Sequence, residues 1–317
     1  MGSDAKIRKY LLSQIEVEGY PLEIEISEIL DREKQWIVEN SAYFFDYELN
    51  KGRTIDIQAW HNPDVKIPGQ MLPFFAVCEL PIECKKSGSH AWIFFTRPHT
   101  SFGHYLGQRL DFVQIKTEMK NFSSRLFLNV REKPSLHYAE YKRVAISYAE
   151  LLFDKSKRKS KSPPSLILKA INQLMKFITY ENRRIKDTNL EGWSSMPFYF
   201  YFPVVVFEGK MYEYYEESGK KTLTPVDRVL LESSYRPSYH YRDVDFAIEI
   251  ITKDVLGKLL KDVRKDCSTI YSGIIGAKEE LMGEYSKFLP HDVLRKALLD
   301  SAKSRNTQRR PVTKKRA

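Results

Sequence analysis

The sequence predicts a mixed α/β fold with a central sheet flanked by helices. Three observations carry this reading. Apolar residues recur at helical spacing within 4–16, 21–34 and 165–181. Between them lie β-prone runs at 36–48 (WIVENSAYFFDYE), 53–60 (RTIDIQAW), 72–84 (LPFFAVCELPIEC), 91–96 (AWIFFT) and 198–207 (FYFYFPVVVF). The chain is 317 residues long and 42% apolar, enough for a substantial core, yet its purely apolar runs are only a few residues long. General disorder and a membrane span are therefore both excluded as expectations.

The elements follow in order. Ile7, Leu11 and Ile15 fall four residues apart, the stripe of a short amphipathic helix. Gly19-Tyr20-Pro21 then reads as a helix start, because proline suits the first helical turn. Leu22, Ile26, Ile29, Leu30 and Glu33 share one face of the helix that follows. Residues 22–26 (LEIEI) alternate as a strand would, but the longer window favours helix. Two strands at 36–48 and 53–60 are joined through Asn50-Lys51-Gly52, a hairpin signal. A helix is expected over 137–153 (HYAEYKRVAISYAELLF). After Pro163-Pro164, Ile167, Ile171, Leu174 and Ile178 mark another of about five turns. Strands are expected at 211–216 and 245–252, and helices at 253–265 and roughly 268–302. The resulting organisation is a core over 1–215 that carries a helical insertion at 97–164. A strand-plus-helix extension of the same domain follows at 216–302, then a disordered basic tail at 303–317.

Charge is concentrated rather than spread. The net +10 includes five basic residues in KSKRKSK (155–161) and seven in the tail from Lys303 to Ala317, with no acid in either segment. Without them the remainder stands at −2, close to neutral. Such segments suit phosphate-backbone contact through counterion release, and equally a solubilising role. Cys78, Cys84 and Cys267 form an odd set without a C-x-x-C pair, so neither a disulfide framework nor a zinc ribbon is expected. With no secretory h-region at the N-terminus, the expected setting is a reducing cytoplasm, away from membranes. No G-x-G-x-x-G, G-x-x-x-x-G-K-[ST] or G-x-S-x-G occurs, which removes dinucleotide enzymes, P-loop motors and α/β-hydrolases from consideration.

Chemistry gathers at Thr54-Ile55-Asp56-Ile57 and Glu83-Cys84-Lys85. Strand alternation turns Ile55, Ile57, Ile82 and Cys84 to the core, leaving Asp56, Glu83 and Lys85 on the other side. Hard carboxylate oxygens suit Mg²⁺, and a nearby ammonium can orient water or stabilise charge on a phosphate. A surface salt-bridge ladder is the plainer explanation of the same residues. Other E-x-K or D-x-K triplets include those that begin at Asp4, Asp64, Glu118 and Glu208. Of these, Glu208 ends a strand but is followed by Gly209, which suggests a turn out of the sheet. His90, His99 and His104 are too loosely grouped for zinc. The basic and aromatic stretch 85–109 could meet a nucleic-acid strand, although a loop packed by its own aromatics explains it as well.

These motifs resemble the PD-(D/E)XK restriction-endonuclease-like nucleases, in particular a bacterial and archaeal branch. The matching text is Gly19-Tyr20-Pro21-Leu22-Glu23-Ile24-Glu25, RTIDIQAW, LPIECKKS (80–87) and WIFF (92–95). The helix at 165–181 and FPVVVFEGKMYE (202–213) complete the match. The resemblance implies a helix–three strands–helix–strand core and divalent-metal cleavage of DNA, less often RNA, in defence, repair or mobile-element processes. It implies Asp56 and Glu83 as ligands of Mg²⁺, with Mn²⁺ as substitute, and Lys85 as the group assisting water. Glu23 is the preferred additional carboxylate and Glu25 the next. Ile55 stands where the family has proline, a departure that lowers the specificity of the match. Nucleic-acid contacts are expected from Lys86, Arg97, Gln108, Arg109, Lys157, Arg158 and Lys159. Homo-oligomer and partner-subunit arrangements stay open. So does the rival reading, a catalytically inactive nucleic-acid-binding or assembly subunit that keeps the nuclease fold.

Overall fold

The computed structural model describes residues 2–17, 20–61, 74–99, 137–153, 165–187, 196–236 and 244–276. Among them are four helices: α1 (Gly2–Val17), α2 (Tyr20–Arg32), α3 (Leu166–Asp187) and α4 (Leu256–Gly276). The first strands are β1 (Ile37–Asp46), β2 (Lys51–His61), β3 (Phe74–Pro98) and β4 (Arg143–Leu152). They are followed by β5 (Met196–Tyr201), β6 (Val204–Glu217), β7 (Lys220–Pro225), β8 (Arg228–Tyr235) and β9 (Val244–Ile251). The fold is thus mixed α/β with a central mixed sheet. No helix among the described residues is long and apolar enough to cross a membrane.

The sheet runs in the order β1-β2-β3-β4-β8-β9-β6-β7, with β5 paired to β3. Strand β3 also pairs with β6, so the pairings close a circuit through β3, β4, β8, β9 and β6. Two apolar layers sandwich this sheet. On one side Leu22, Ile26 and Leu30 of α2 and Leu259 and Val263 of α4 pack on Ile57, Ile82, Val204 and Val206. On the other, Ile171, Leu174 and Ile178 of α3 pack on Phe44, Ile55, Val205 and Phe207. Burial on both faces is why 204–207 reads as one uninterrupted apolar run.

The β1–β2 hairpin closes as expected, with Asn50 at φ 48 in the left-handed region. Asp46 folds the connection by accepting the Glu48 and Leu49 amides, both at 3.1 Å. A second tight hairpin joins β6 to β7 through Ser218 and Gly219, at φ 51 and 78, the signature of a primed two-residue turn.

Several expectations need correction. Residues 137–153 are not a helix: a 3-10 turn spans His137–Glu140, and 143–152 form β4 against β3. Its β-branched and aromatic residues satisfy a period of two as well as 3.6, and pairing with β3 decides the matter. The helical insertion is therefore not found where it can be seen, and the rest of 97–164 beyond residues 97–99 and 137–153 lies outside the described residues. Of the stretches 72–84 and 91–96, residues 74–84 and 91–96 belong to one strand, β3. Gly209 does not leave the sheet but lies inside β6, opposite the bulge at Ser87–His90. A Cβ there would collide with the Phe207 ring and come within 2.9 Å of the Ser87 carbonyl. The extension after 215 contains two further strands, β7 and β8, that carry little apolar alternation. Of the helical region 268–302, residues 268–276 continue α4, and the remainder lies outside the described residues. The apolar stripe of α1 is not buried, with Ile7, Leu11 and Ile15 each about half exposed.

Cysteine usage is corrected too. Cys78 of β3 and Cys267 of α4 are joined by a disulfide across 189 residues, leaving Cys84 free and buried. A bond closing so long a loop removes entropy chiefly from the unfolded chain.

A buried charged network ties the 3-10 turn to β8, β9 and α4. His137 Nδ1 meets Asp266 Oδ2 at 2.5 Å, and its Nε2 meets Glu249 Oε2 at 3.0 Å. Glu249, fully buried on β9, also accepts from Tyr141 at 2.6 Å and from Arg228 at 2.7 Å. Arg228 in turn donates to Asp262 at 2.9 Å. Burial alone would lower the His137 pKa, but Glu249 and Asp266 prevail and raise it to about 9. Desolvation is likewise overcome at Glu249, which His137 and Arg228 hold far below the usual carboxylate range. The His137 contribution is fully present below its unfolded value and lost as pH rises through the folded one. His137 should therefore contribute a fall on the order of 3 kcal/mol to the urea-denaturation free energy between about pH 6.5 and pH 9. His137→Gln should be less stable at neutral pH and should flatten that slope. A wild-type slope retained in the variant would refute the assignment.

Candidate active site

The β2–β3 ladder ends at the pair Ile57↔Ile82. The next residue on each strand is Asp56 and Glu83, and there the two strands part. Strand β3 continues along its other edge with β6, through Glu83↔Val205 and Lys85↔Phe207. The Cys84 amide, facing the departing strand, has lost its backbone partner and donates instead to Asp56 Oδ2 at 2.8 Å. Asp56 thus caps the fork with its side chain. Buried amides require such a partner, so an acceptor at this position is demanded by the branching of the sheet.

A matching irregularity lies in β1. Ser41, at φ 54, is skipped in the pairing, which otherwise runs from Asn40↔Ile57 to Ala42↔Ile55. The regular alternation slips here. Ile57 and Ala59 belong to the layer under α2 and α4, whereas Ile55, Ala42 and Phe44 belong to the layer under α3. Asp56 occupies the crossover. Simple alternation places Ile55 and Ile57 in one core; both are fully buried, in opposite layers.

Lys85 Nζ closes the cluster. It donates to Asp56 Oδ2 at 3.1 Å, to Glu83 Oε2 at 2.5 Å and to the Cys84 carbonyl at 3.0 Å. The Glu83 side chain is 2% exposed, while those of Asp56 and Lys85 are each 18% exposed. Burial pushes the Glu83 carboxyl up to about 8; Lys85 opposes the rise and Asp56 adds to it. Burial also disfavours charge on Lys85, but Glu83 and Asp56 outweigh it and hold the ammonium above its ordinary range. Cys84 is a buried thiol raised by desolvation first and by the neighbouring acids after it. It reads as core rather than nucleophile.

Helix α2 brings Glu23 into the same field. Its carboxyl is raised by burial and then by Asp56, with Lys85 acting the other way. Glu25 instead faces Lys253 at 3.0 Å. The helical wheel leaves these two equivalent, and packing against α4's entry distinguishes them. The other named residues fall as follows. Lys86 pairs with Glu208 at 2.8 Å, which accounts for that second E-x-K triplet, and Arg97 pairs with Glu232 at 2.8 Å. His90 contacts Ser89, and His99 Nδ1 contacts the Tyr141 carbonyl at 2.8 Å. Asp64, His104, Gln108, Arg109, Glu118, Lys157, Arg158 and Lys159 lie outside the described residues. The element missed by sequence reasoning is the Cys84 backbone amide, which no residue type advertises.

The donor set fits a hard divalent cation in chemistry. Asp56 and Glu83 offer carboxylates from adjoining strands, Glu23 a third from α2, and Glu83 Oε1 is buried with no hydrogen-bond partner. Among the described residues no three acidic, histidine or cysteine side chains already stand in a metal-holding group. Lys85 occupies the electropositive position between Asp56 and Glu83. Compared with protein-family models, curated proteins and solved structures, the chain matches none.

The electrostatics can be read directly in metal-free protein. Carboxyl ¹³C NMR should show Glu83 titrating near pH 8. Lys85→Met should move that inflection higher, since the ammonium is what restrains it. Titration of Glu83 in the ordinary carboxylate range would contradict the buried geometry.

Proposed function

We propose that this protein is a Mg²⁺-dependent nuclease with a restriction-endonuclease-like core, hydrolysing phosphodiester bonds of DNA. The observation that carries the reading is the convergence of Asp56, Glu83 and Lys85 at the fork of β2 and β3, with Glu83 Oε1 unsatisfied. Asp56 and Glu83, joined by Glu23, would hold the cation. When bound, it supplies charge neutralisation at the scissile phosphate and a water of lowered pKa. The chain's own residues do the rest. Lys85, held by Asp56 and Glu83, would donate to the attacking water or to a phosphate oxygen gaining charge. Asp56 keeps its hold on the Cys84 amide, and this fixes the backbone from which Lys85 projects. Both layers of core clamp the fork, so the donors are presented by rigid strands rather than a loop.

The order α2, β1, β2, β3, α3, β6 also suits the proposed core, with β4, β5 and β7–β9 as additions. A second reading, nucleic-acid binding without cleavage, is favoured by the 2% exposure of the Glu83 side chain.

The purified 317-residue chain with Mg²⁺ or Mn²⁺ should nick plasmid DNA. Asp56→Ala should abolish cleavage, and Lys85→Ala should slow it roughly 10²-fold or more while leaving DNA binding in place. Cleavage unchanged in both variants would sink the nuclease assignment. DNA bound by wild type with no cleavage under any divalent metal would support the second reading.

A further inference from the structure

A cavity of about 490 Å³ opens between the C-terminal half of α3 and strands β1, β2, β3 and β5. Four aromatic side chains, Tyr43, Trp60, Tyr180 and Tyr199, form much of its wall. At its base sits Glu79, only 3% exposed, whose Oε1 accepts from Gln58 Nε2 at 2.6 Å. Two more carboxylates line it, the buried Glu181 and the exposed Glu39. The cationic lining residue is Arg184, and it is committed to Glu181, bonding that carboxylate three times at 2.5–3.1 Å.

Among the described residues the lining is therefore richer in acid than in base, and the one cation there is already matched. A phosphate or polynucleotide would meet net negative charge here. An ammonium ion would meet aromatic faces, which attract cations, and an acid that lacks a countercharge of its own. We propose that this cavity binds an organic ammonium ion, with Glu79 as its counter-ion and the aromatic residues as its cage. The site is separate from the Asp56–Glu83–Lys85 cluster, and the inference does not rest on the nuclease reading.

The state of Glu79 without ligand agrees with this. Burial first, then Glu181, pushes its carboxyl up to about 8; Gln58 and Arg184 pull the other way, and Glu39 adds a smaller push upward. Tyr199 and Tyr201 border the same acid and have hydroxyls raised by their own burial. A carboxyl raised in this way favours its protonated form at neutral pH, and a bound ammonium would displace that proton. The affinity for a ligand that stays charged over this range should then rise with pH until Glu79 is ionised, and level off above that.

Isothermal titration of the full chain with n-butylammonium, against neutral n-butanol, tests the idea. Butylammonium should bind saturably and butanol should not. Its affinity should climb up to about tenfold per pH unit from about pH 6 to pH 8 and then flatten. Glu79→Gln, which keeps the neutral form's shape and its contact with Gln58, should weaken binding at least roughly tenfold. A capped lysine amide and 1,4-diammoniobutane distinguish the source of the charge. Tighter binding of the first points to a partner's side chain, tighter binding of the second to a free amine, and either sustains the proposal. Equal binding of butanol, no saturable heat from any ammonium probe, or unchanged affinity in Glu79→Gln would overturn it. The wild-type pH profile and the butanol control need no variant, so misfolding of the mutant cannot mask a negative result.

Discussion

Strand β3 is shared by more partners than an ordinary strand can hold at once. Its 25 residues give one edge first to β2 and then to β4, and the other first to β5 and then to β6. Each hand-over leaves backbone groups between partners, and a buried N–H or C=O without a partner costs about 1–3 kcal/mol. The way each gap is filled determines the local chemistry. Between β2 and β4 the gap falls at Cys84, and Asp56 fills it with a carboxylate. Between the two registers of β6 it falls at Ser87–His90, and the bulge is accommodated by the missing Cβ of Gly209. Where β5 passes to β6, Phe202 donates to the Glu79 carbonyl at 2.8 Å and the pairing resumes.

The first of these solutions draws the rest of the cluster after it. A carboxylate fixed in the fork, its side chain 18% exposed, attracts an ammonium, and Lys85 supplies one from the residue after Cys84 on β3. That ammonium can stay charged only with further acid beside it, and Glu83 provides the second carboxylate. Breaking one partner of such a buried set costs far more than the set contributes as a whole, because the remaining charge is left unmatched. An ion cluster is a poor way to gain stability in a core. Its setting among the apolar side chains of Ile55, Ile57, Ile82 and Val205 is what supports the proposed reading over a ladder of surface pairs.

Much of this was legible in the residues, and the exceptions have a common cause. Helices α2 and α3 were readable because each buries one face at helical period, from Leu22 to Leu30 and from Ile167 to Ile178. The hairpin at Asn50 was readable because its turn chemistry is local. Asp56, Glu83 and Lys85 could be chosen because they interrupt apolar strands. What the sequence hid was non-local. The 143–152 segment became a strand because β3 offered it an edge. The change of layer between Ile55 and Ile57 depends on Ser41, a residue with no special mark. The disulfide between Cys78 and Cys267 depends on α4 lying over β3, which an odd cysteine count obscures. Likewise Glu79 looked like one more strand residue, because nothing in its neighbours shows that α3 and three aromatic-bearing strands leave a cavity above it.

Glu79 and Glu83 make a controlled comparison within one strand. They lie four residues apart on the same face of β3, both nearly inaccessible, and burial pushes both up to about 8. Around Glu83 the chain supplies its own countercharge, with Lys85 at 2.5 Å. Around Glu79 it supplies an amide at 2.6 Å and aromatic walls, while Arg184 is spent on Glu181. A buried acid beside an internal cation has a partner within the fold for its charge when it ionises. A buried acid facing open volume without one can remain only as the protonated acid, or ionise when positive charge arrives from outside. The same carboxyl, placed twice on one strand, is thus a self-contained cluster at one position and a receptor for external charge at the other. The difference is set by what stands opposite, not by the residue or its depth.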